Sequence, residues 1–161
     1  YQNYTLSWMG YVLGKRESRR LMGDVIYSQN DIDNGTYYPD ACVSTRWGID
    51  LHYPDPINTK YFPGNEFRAI AIHAQRQIHP IRSMPYRCFY SRNISNLFMA
   101  GRCVSSTHIA LGMFRVQHTT GMMGEVVGMA AWLCCKNKTL PRDIYFKYWS
   151  DMQELLRKGI Q

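Results

Sequence analysis

The chain has 161 residues and a formal net charge of +7, and 45% of its residues are hydrophobic. That length allows one domain of ordinary size with a buried core. No apolar run reaches the roughly 20 residues that a membrane-spanning helix requires, so we expect no membrane span. The basic residues are scattered and form no recognisable nucleic-acid motif, which favours a solvated surface with a few anion-binding arginines over a nucleic-acid interface.

The five cysteines lack the spacing of a metal site or a redox site. They form no C-x-x-C pair and no pattern with histidine that suits zinc. We therefore expect neither a bound metal nor a redox disulfide.

The first third of the chain predicts short strands separated by turns. Residues 24–28 favour a strand, and the Asp-Asn-Gly sequence at residues 33–35 predicts a turn. Residues 41–45 are a second strand candidate, and residues 47–52 continue in an extended form.

A loop and a further strand follow, and the chain ends in a helix. The prolines and the glycine of residues 54–64 predict a loop of about a dozen residues, and residues 67–72 predict a strand. The last helix is expected to begin near Pro141 and to end at Gly159. Its apolar and aromatic residues recur at helical spacing: Tyr145, Tyr148, Trp149, Met152, Leu155 and Leu156. This stripe predicts a face packed on the core, with a partner-binding face as the alternative.

The most informative segment lies in the C-terminal half. Residues 97–100 form a short apolar run that predicts a buried strand, and Gly101 allows a tight turn or the close approach of a ligand. A glycine-bearing loop that includes a small-residue turn at residues 110–112 is expected next, and Thr119 or Thr120 is expected to cap a helix that opens on Gly121. The free N–H groups and the partial positive charge at such a helix start suit the electron-rich edge of a flavin or a phosphate.

Several stretches of the chain carry a family resemblance. Residues 96–102 read N-L-F-M-A-G-R, residues 107–115 read T-H-I-A-L-G-M-F-R, and residues 124–131 read G-E-V-V-G-M-A-A. Residues 14–24, G-K-R-E-S-R-R-L-M-G-D, and residues 85–87, P-Y-R, stand upstream of them. Together they resemble motifs of the FAD-dependent oxidoreductases of the glutathione-reductase-like superfamily.

The resemblance implies an α/β fold that is the C-terminal portion of a two-domain flavoprotein. Residues 1–95 would form part of a substrate domain, and residues 96–136 would be the strand and helix that return to the FAD-binding domain. Residues 137–161 would form a C-terminal amphipathic helix. The cofactor would be FAD, and hydride would pass between the flavin and an unidentified small-molecule substrate.

The resemblance also implies a set of site residues. The expected cofactor-binding residues are Ala100, Gly101, Arg102, Ala110, Leu111, Gly112, Thr120, Gly121, Met122 and Gly124. The expected catalytic residues are His108, Arg115, Arg16, Glu17 and Arg19. His108 would exchange a proton or bond the substrate, and Arg115 would face an anionic flavin or a carboxylate. The alternatives are a structural histidine, a loop-stabilising salt bridge and a solvated basic run.

The sequence lacks the G-x-G-x-x-G element that cradles the adenine-side phosphates of a dinucleotide. We therefore expect the chain to be the C-terminal part of a longer flavoprotein whose N-terminal region supplies that element. One alternative is a complete small protein that kept half of the site. Another, from a different class, is a non-catalytic binding or assembly fragment that uses the basic surface and the aromatic tail.

Overall fold

The computed structural model describes residues 2–12, 19–54, 69–73 and 80–159. The described residues form five helices, two short 3-10 turns and four strands, a mixture that is compatible with the expected α/β class. The helices are α1 (Gln29–Asn34), α2 (His108–Phe114), α3 (Gln117–Asn137), α4 (Pro141–Lys147) and α5 (Trp149–Lys158). The strands are β1 (Ala41–Thr45), β2 (Asp50–Pro54), β3 (Ala69–His73) and β4 (Arg82–Pro85), and short 3-10 turns cover Tyr86–Cys88 and Gly101–Cys103. No helix in these ranges is long and apolar enough to cross a membrane.

The strands form two antiparallel pairs. Strand β1 pairs with β4, with Val43 opposite Met84 and an irregularity between Ala41 and Val43. Strand β2 pairs with β3, with Leu51 opposite Ile72. The predicted strand at residues 41–45 is confirmed. The extended stretch predicted from residue 47 becomes a regular strand at Asp50, and the strand predicted at residues 67–72 overlaps β3. Residues 67 and 68 and almost all of the predicted loop lie outside the described residues.

Two predicted strands are reduced to single bridges in the described part of the chain. Tyr27 makes a parallel bridge to Ser106, and Phe98 makes an antiparallel bridge to Tyr90. The apolar run at residues 97–100 is explained by burial, because Met99 is 2% exposed. An apolar run of four residues indicates burial but does not by itself supply the neighbouring strand that a ladder needs.

The helix boundaries near residue 110 differ from the prediction. Residues 108–114, predicted as a loop, form α2, and Thr107 accepts a hydrogen bond from the Ala110 N–H at 3.4 Å. Helix α3 begins at Gln117 and not at Gly121. Thr120 is therefore inside the first turn, where its hydroxyl donates to the Gln117 carbonyl at 3.0 Å and does not cap the helix.

Two further segments differ from the prediction: a predicted turn is the end of a helix, and a predicted single helix is two helices. The turn at residues 33–35 is the end of α1, which closes on Gly35 in the left-handed conformation with φ +61°. Asp31 accepts hydrogen bonds from the Ser28 backbone N–H at 2.8 Å and from the Ser28 hydroxyl at 2.7 Å, so side chains stabilise the start of this helix. The C-terminal helix breaks at Tyr148 into α4 and α5, and it ends at Gly159 as predicted.

The core lies where α3, α4 and α5 pack with the β1–β4 pair. Its fully buried members include Tyr86, Tyr90, Met123 and Ile144. The stripe of the C-terminal helices faces this core, as predicted. Met152 is fully buried and the other stripe residues pack partly buried around it.

A buried ion pair joins the residue before β1 to the 3-10 turn after β4. Asp40 is 0% exposed and accepts hydrogen bonds from Arg87 Nε at 2.9 Å and Nη2 at 2.8 Å. The Arg87 guanidinium also lies 4.6 Å from the centre of the Tyr145 ring in α4. These hydrogen bonds from Arg87 to Asp40 raise the pKa of the guanidinium, which therefore stays charged. A Cβ at Gly23 would collide with the Arg87 carbonyl, which requires glycine there.

Replacing Asp40 with asparagine is expected to lower the free energy of unfolding by about 3 kcal/mol, because it leaves the Arg87 charge without a buried partner. Urea unfolding at neutral pH measures this. Asp151→Asn in α5 is the matched control, since Asp151 is exposed, and it should change the stability by less than about 0.5 kcal/mol. Equal midpoints for the two variants would show that the pair contributes no stability.

Candidate flavin site

A cavity of about 670 Å³ opens where β2, the turn after Ala100 and the junction of α2 with α3 meet. Its lining residues are Asp50, Gly101, Arg102, Arg115, Val116, Gln117 and Thr120. Two arginines and one aspartate therefore face the same space, so the lining carries a net positive charge.

The contact of α2 with β2 gives the cavity its shape. A Cβ built on Gly112 would lie 2.8 Å from the Asp50 carbonyl oxygen and 3.0 Å from Leu51 Cδ2. Real Cβ atoms do not approach a backbone oxygen so closely, so the helix reaches the strand only because residue 112 is glycine. This approach brings Asp50 to the end of α2, where Arg115 stands.

Arg115 is held against the start of β2. Its Nη2 donates a hydrogen bond to the Asp50 carbonyl at 2.7 Å and lies 3.9 Å from Asp50 Oδ1. The side chains of Arg115 and Asp50 are only 10% and 15% exposed. The backbone N–H of Arg115 also donates to the Leu111 carbonyl at 3.0 Å, which fixes the end of α2. The guanidinium is thus pre-positioned at the cavity wall, with donors left for a planar anionic group.

The beginning of α3 faces the same cavity. Its N-cap residue, Val116, has no side-chain acceptor, and Thr120 is the first residue of the helix whose N–H bonds back, to the Val116 carbonyl at 2.9 Å. The N–H groups of residues 117–119 therefore precede the intrahelical ladder and carry the positive end of a 21-residue helix. Such a terminus attracts an electron-rich or anionic group.

The structure brings four predicted cofactor-binding or catalytic residues together in this cavity: Gly101, Arg102, Thr120 and Arg115. Gly101 has φ +76°, a conformation that favours glycine, and a Cβ there would meet no atom within 4 Å. The sequence motifs therefore converge at one place although they are separated along the chain.

Other predicted cofactor-binding residues lie elsewhere. Ala110, Leu111 and Gly112 are buried on the core side of α2, where they pack and do not line the cavity. Ala100 and Met122 are partly buried against the core. Gly121 and Gly124 are exposed on α3, and a Cβ at either would meet open space.

Among the remaining predicted catalytic residues, none lines this cavity in the described part of the chain. His108 is exposed at the first position of α2, and Arg19 is exposed as well. Arg16 and Glu17 fall outside the described residues. Their catalytic roles stay predictions.

Three lining residues were not predicted from the sequence: Asp50, Val116 and Gln117. Val116 and Gln117 line the cavity because α3 begins at Gln117, four residues before the predicted start at Gly121. Extending the predicted helix back over residues 117–120 would have identified them. Asp50 reaches the cavity through the contact with Gly112, which lies 62 positions further along the chain, and no local pattern indicates that contact.

The comparison with known families gives the class of the protein. The family model described as FAD dependent oxidoreductase matches residues 1–156, and the chain therefore belongs to that family. It is an oxidoreductase and a flavoprotein whose cofactor is FAD. No curated protein and no solved structure matches the chain. Across the residues that the structure describes, no cluster of His, Cys, Asp or Glu has the arrangement of a metal site.

Replacing Gly112 with alanine is expected to destabilise the protein by roughly 1–3 kcal/mol, because the new methyl group meets the Asp50 backbone. Gly128→Ala is the matched control within α3, since a Cβ there meets nothing within 4 Å. That control should stabilise the protein by up to about 1 kcal/mol through helix propensity. Thermal unfolding of the two variants measures both signs, and a stabilising Gly112→Ala would contradict the close contact of α2 with β2.

Proposed function

We propose that the cavity at Asp50, Arg115 and the start of α3 receives the flavin end of FAD. The observation that carries this proposal is the convergence of a pre-positioned guanidinium and an uncapped helix N-terminus on one space. Both features favour an electron-rich ring edge or negative charge. The volume of about 670 Å³ is within the roughly 300–1,000 Å³ that is usual for ligand pockets.

We further infer that the chain is related to the glutathione-reductase-like superfamily and forms the C-terminal portion of a two-domain flavoprotein. The motifs at residues 96–102 and 107–115 support this inference, because both contribute to the wall of the same cavity. The chain would then supply part of a substrate domain and one side of the flavin site.

The bound flavin would supply the electron chemistry, accepting hydride from a small-molecule substrate or donating hydride to it. Arg115 would hold an anionic group by a bidentate contact, and Asp50 would keep its guanidinium in place. His108, at the start of α2, would exchange a proton with the substrate. Arg16, Glu17 and Arg19 would bind and orient the substrate. The substrate itself is unidentified.

The phosphate-cradling half of the site would come from another segment of the same polypeptide. The open side of α3 supports this division of the site. Gly121 and Gly124 are exposed, Trp132 is 53% exposed, and nothing in the described residues packs on these two glycines. Glycine in a helix interior lowers the stability of the helix by about 1 kcal/mol relative to alanine. The close approach of another backbone to this face would explain why glycines stand there.

Replacing Arg115 with lysine in the flavin-loaded protein is expected to weaken FAD binding roughly tenfold, because lysine keeps the charge but loses the planar fork. His108→Asn should leave FAD affinity within about twofold and slow flavin reduction by roughly 10²-fold. Fluorescence titration measures the affinity, and anaerobic stopped-flow absorbance measures reduction once a substrate is in hand.

Arg157→Lys is the control, because Arg157 is exposed near the end of α5, away from the cavity. Its FAD affinity should equal that of the unmodified protein. If Arg115→Lys and Arg157→Lys bind FAD equally well, Arg115 is a structural residue and the flavin does not contact it.

A further inference from the structure

A second cavity, of about 320 Å³, lies where α1, the residues before β2, the start of β4 and α2 meet. It is lined by residues that include Ile32, Asp33, Gly48, Ile49, Arg82 and Met113. It shares no lining residue with the flavin cavity. Consecutive residues nevertheless face the two spaces, since Ile49 lines one cavity and Asp50 lines the other.

The fold holds the Arg82 side chain at this cavity. Its Nε donates a hydrogen bond to the Ile32 carbonyl near the end of α1, and its Nη1 donates to the Ile81 carbonyl at 3.3 Å. The guanidinium also lies beside Gly35, where an added Cβ would stand 3.4 Å from Arg82 Cζ, an ordinary van der Waals contact. Two of the guanidinium nitrogens therefore donate hydrogen bonds to backbone carbonyl oxygens, which are neutral and do not balance the positive charge.

Arg82 is not neutralised by a carboxylate of the described residues. No ion pair joins it to an acidic side chain in those ranges, and Asp33, which lines the same cavity, does not pair with it. Arg82 is also partly buried. A partly buried cation without an anionic partner is costly, and a bound carboxylate would offset that cost with a charge-assisted hydrogen bond.

The rest of the lining defines the body of the ligand. Ile32, Ile49 and Met113 give apolar walls, and Ile32 and Met113 are themselves 7% and 2% exposed. Asp33 would repel a group with two negative charges more strongly than a group with one. The chemistry therefore favours a single carboxylate on a short apolar body over a phosphate or a dicarboxylate.

We propose that this cavity is a binding site for a small monocarboxylate, whose carboxylate pairs with Arg82 and whose apolar body lies against Ile49 and Met113. The site is separate from the flavin cavity, so occupation of one does not require the other to be empty. It stands whether or not the flavin assignment above is correct.

The test uses hexanoate as the probe and hexanamide as its uncharged control. The flavin-loaded protein carries ¹³C-methyl methionine, and Met113→Leu assigns the Met113 signal. Hexanoate should shift the Met113 signal with a millimolar Kd, and hexanamide should bind at least about tenfold more weakly. Arg82→Gln should weaken hexanoate binding by about tenfold, whereas Arg157→Gln on α5 should leave it unchanged.

Asp33→Asn keeps the argument testable even if Arg82→Gln fails to fold, since Asp33 is exposed. Removing its negative charge should tighten hexanoate binding about two- to threefold, with no effect on hexanamide. Equal affinity for hexanoate and hexanamide, or weaker hexanoate binding by Asp33→Asn, would overturn the proposal. Absence of any Met113 shift with hexanoate would overturn it as well. The flavin spectrum followed in the same titration reports on the flavin site independently.

Discussion

The contact of Gly112 with the Asp50 backbone is the constraint on which the rest of the site depends. It lets α2 lie directly on β2, within a distance that any side chain at residue 112 would prevent. Arg115, one turn further along, consequently meets the Asp50 carbonyl at 2.7 Å. The same contact separates two cavities, one lined by Asp50 and Arg115 and the other by Ile49 and Met113.

Much of the family resemblance reflects packing. Gly23 sits against the Arg87 carbonyl, and Arg87 forms the buried ion pair with Asp40. Gly112 serves the contact between α2 and β2. Among the motif residues that the structure describes, only Gly101, Arg102 and Arg115 line the cavity. A motif residue is best assigned to chemistry after its packing role has been accounted for.

The parts of the fold that the sequence predicted are those with a strong local signal. Residues 41–45 and the apolar stripe of α4 and α5 follow from periodicity, and Gly159 ends α5 as a C-cap. Helix α2 was missed because its alanine and glycine suggested a turn, although glycine in this helix is required by tertiary contact. The start of α1 had a signal in Ser28 and Asp31, which are spaced as a capping box. No local sequence signal indicated the position of Asp50 at the cavity, because that position depends on its contact with Gly112, 62 positions further along the chain.

We propose that FAD lies at the junction of α2 with α3, and amide hydrogen exchange measures whether it does. The N–H groups of residues 117–119 precede the intrahelical ladder, so they should exchange fast without a ligand. FAD binding should slow exchange at residues 117–119 and near Gly101, while residues 150–158 of α5 exchange as before. Unchanged exchange at residues 117–119, with FAD bound and protection elsewhere in the chain, would contradict the account.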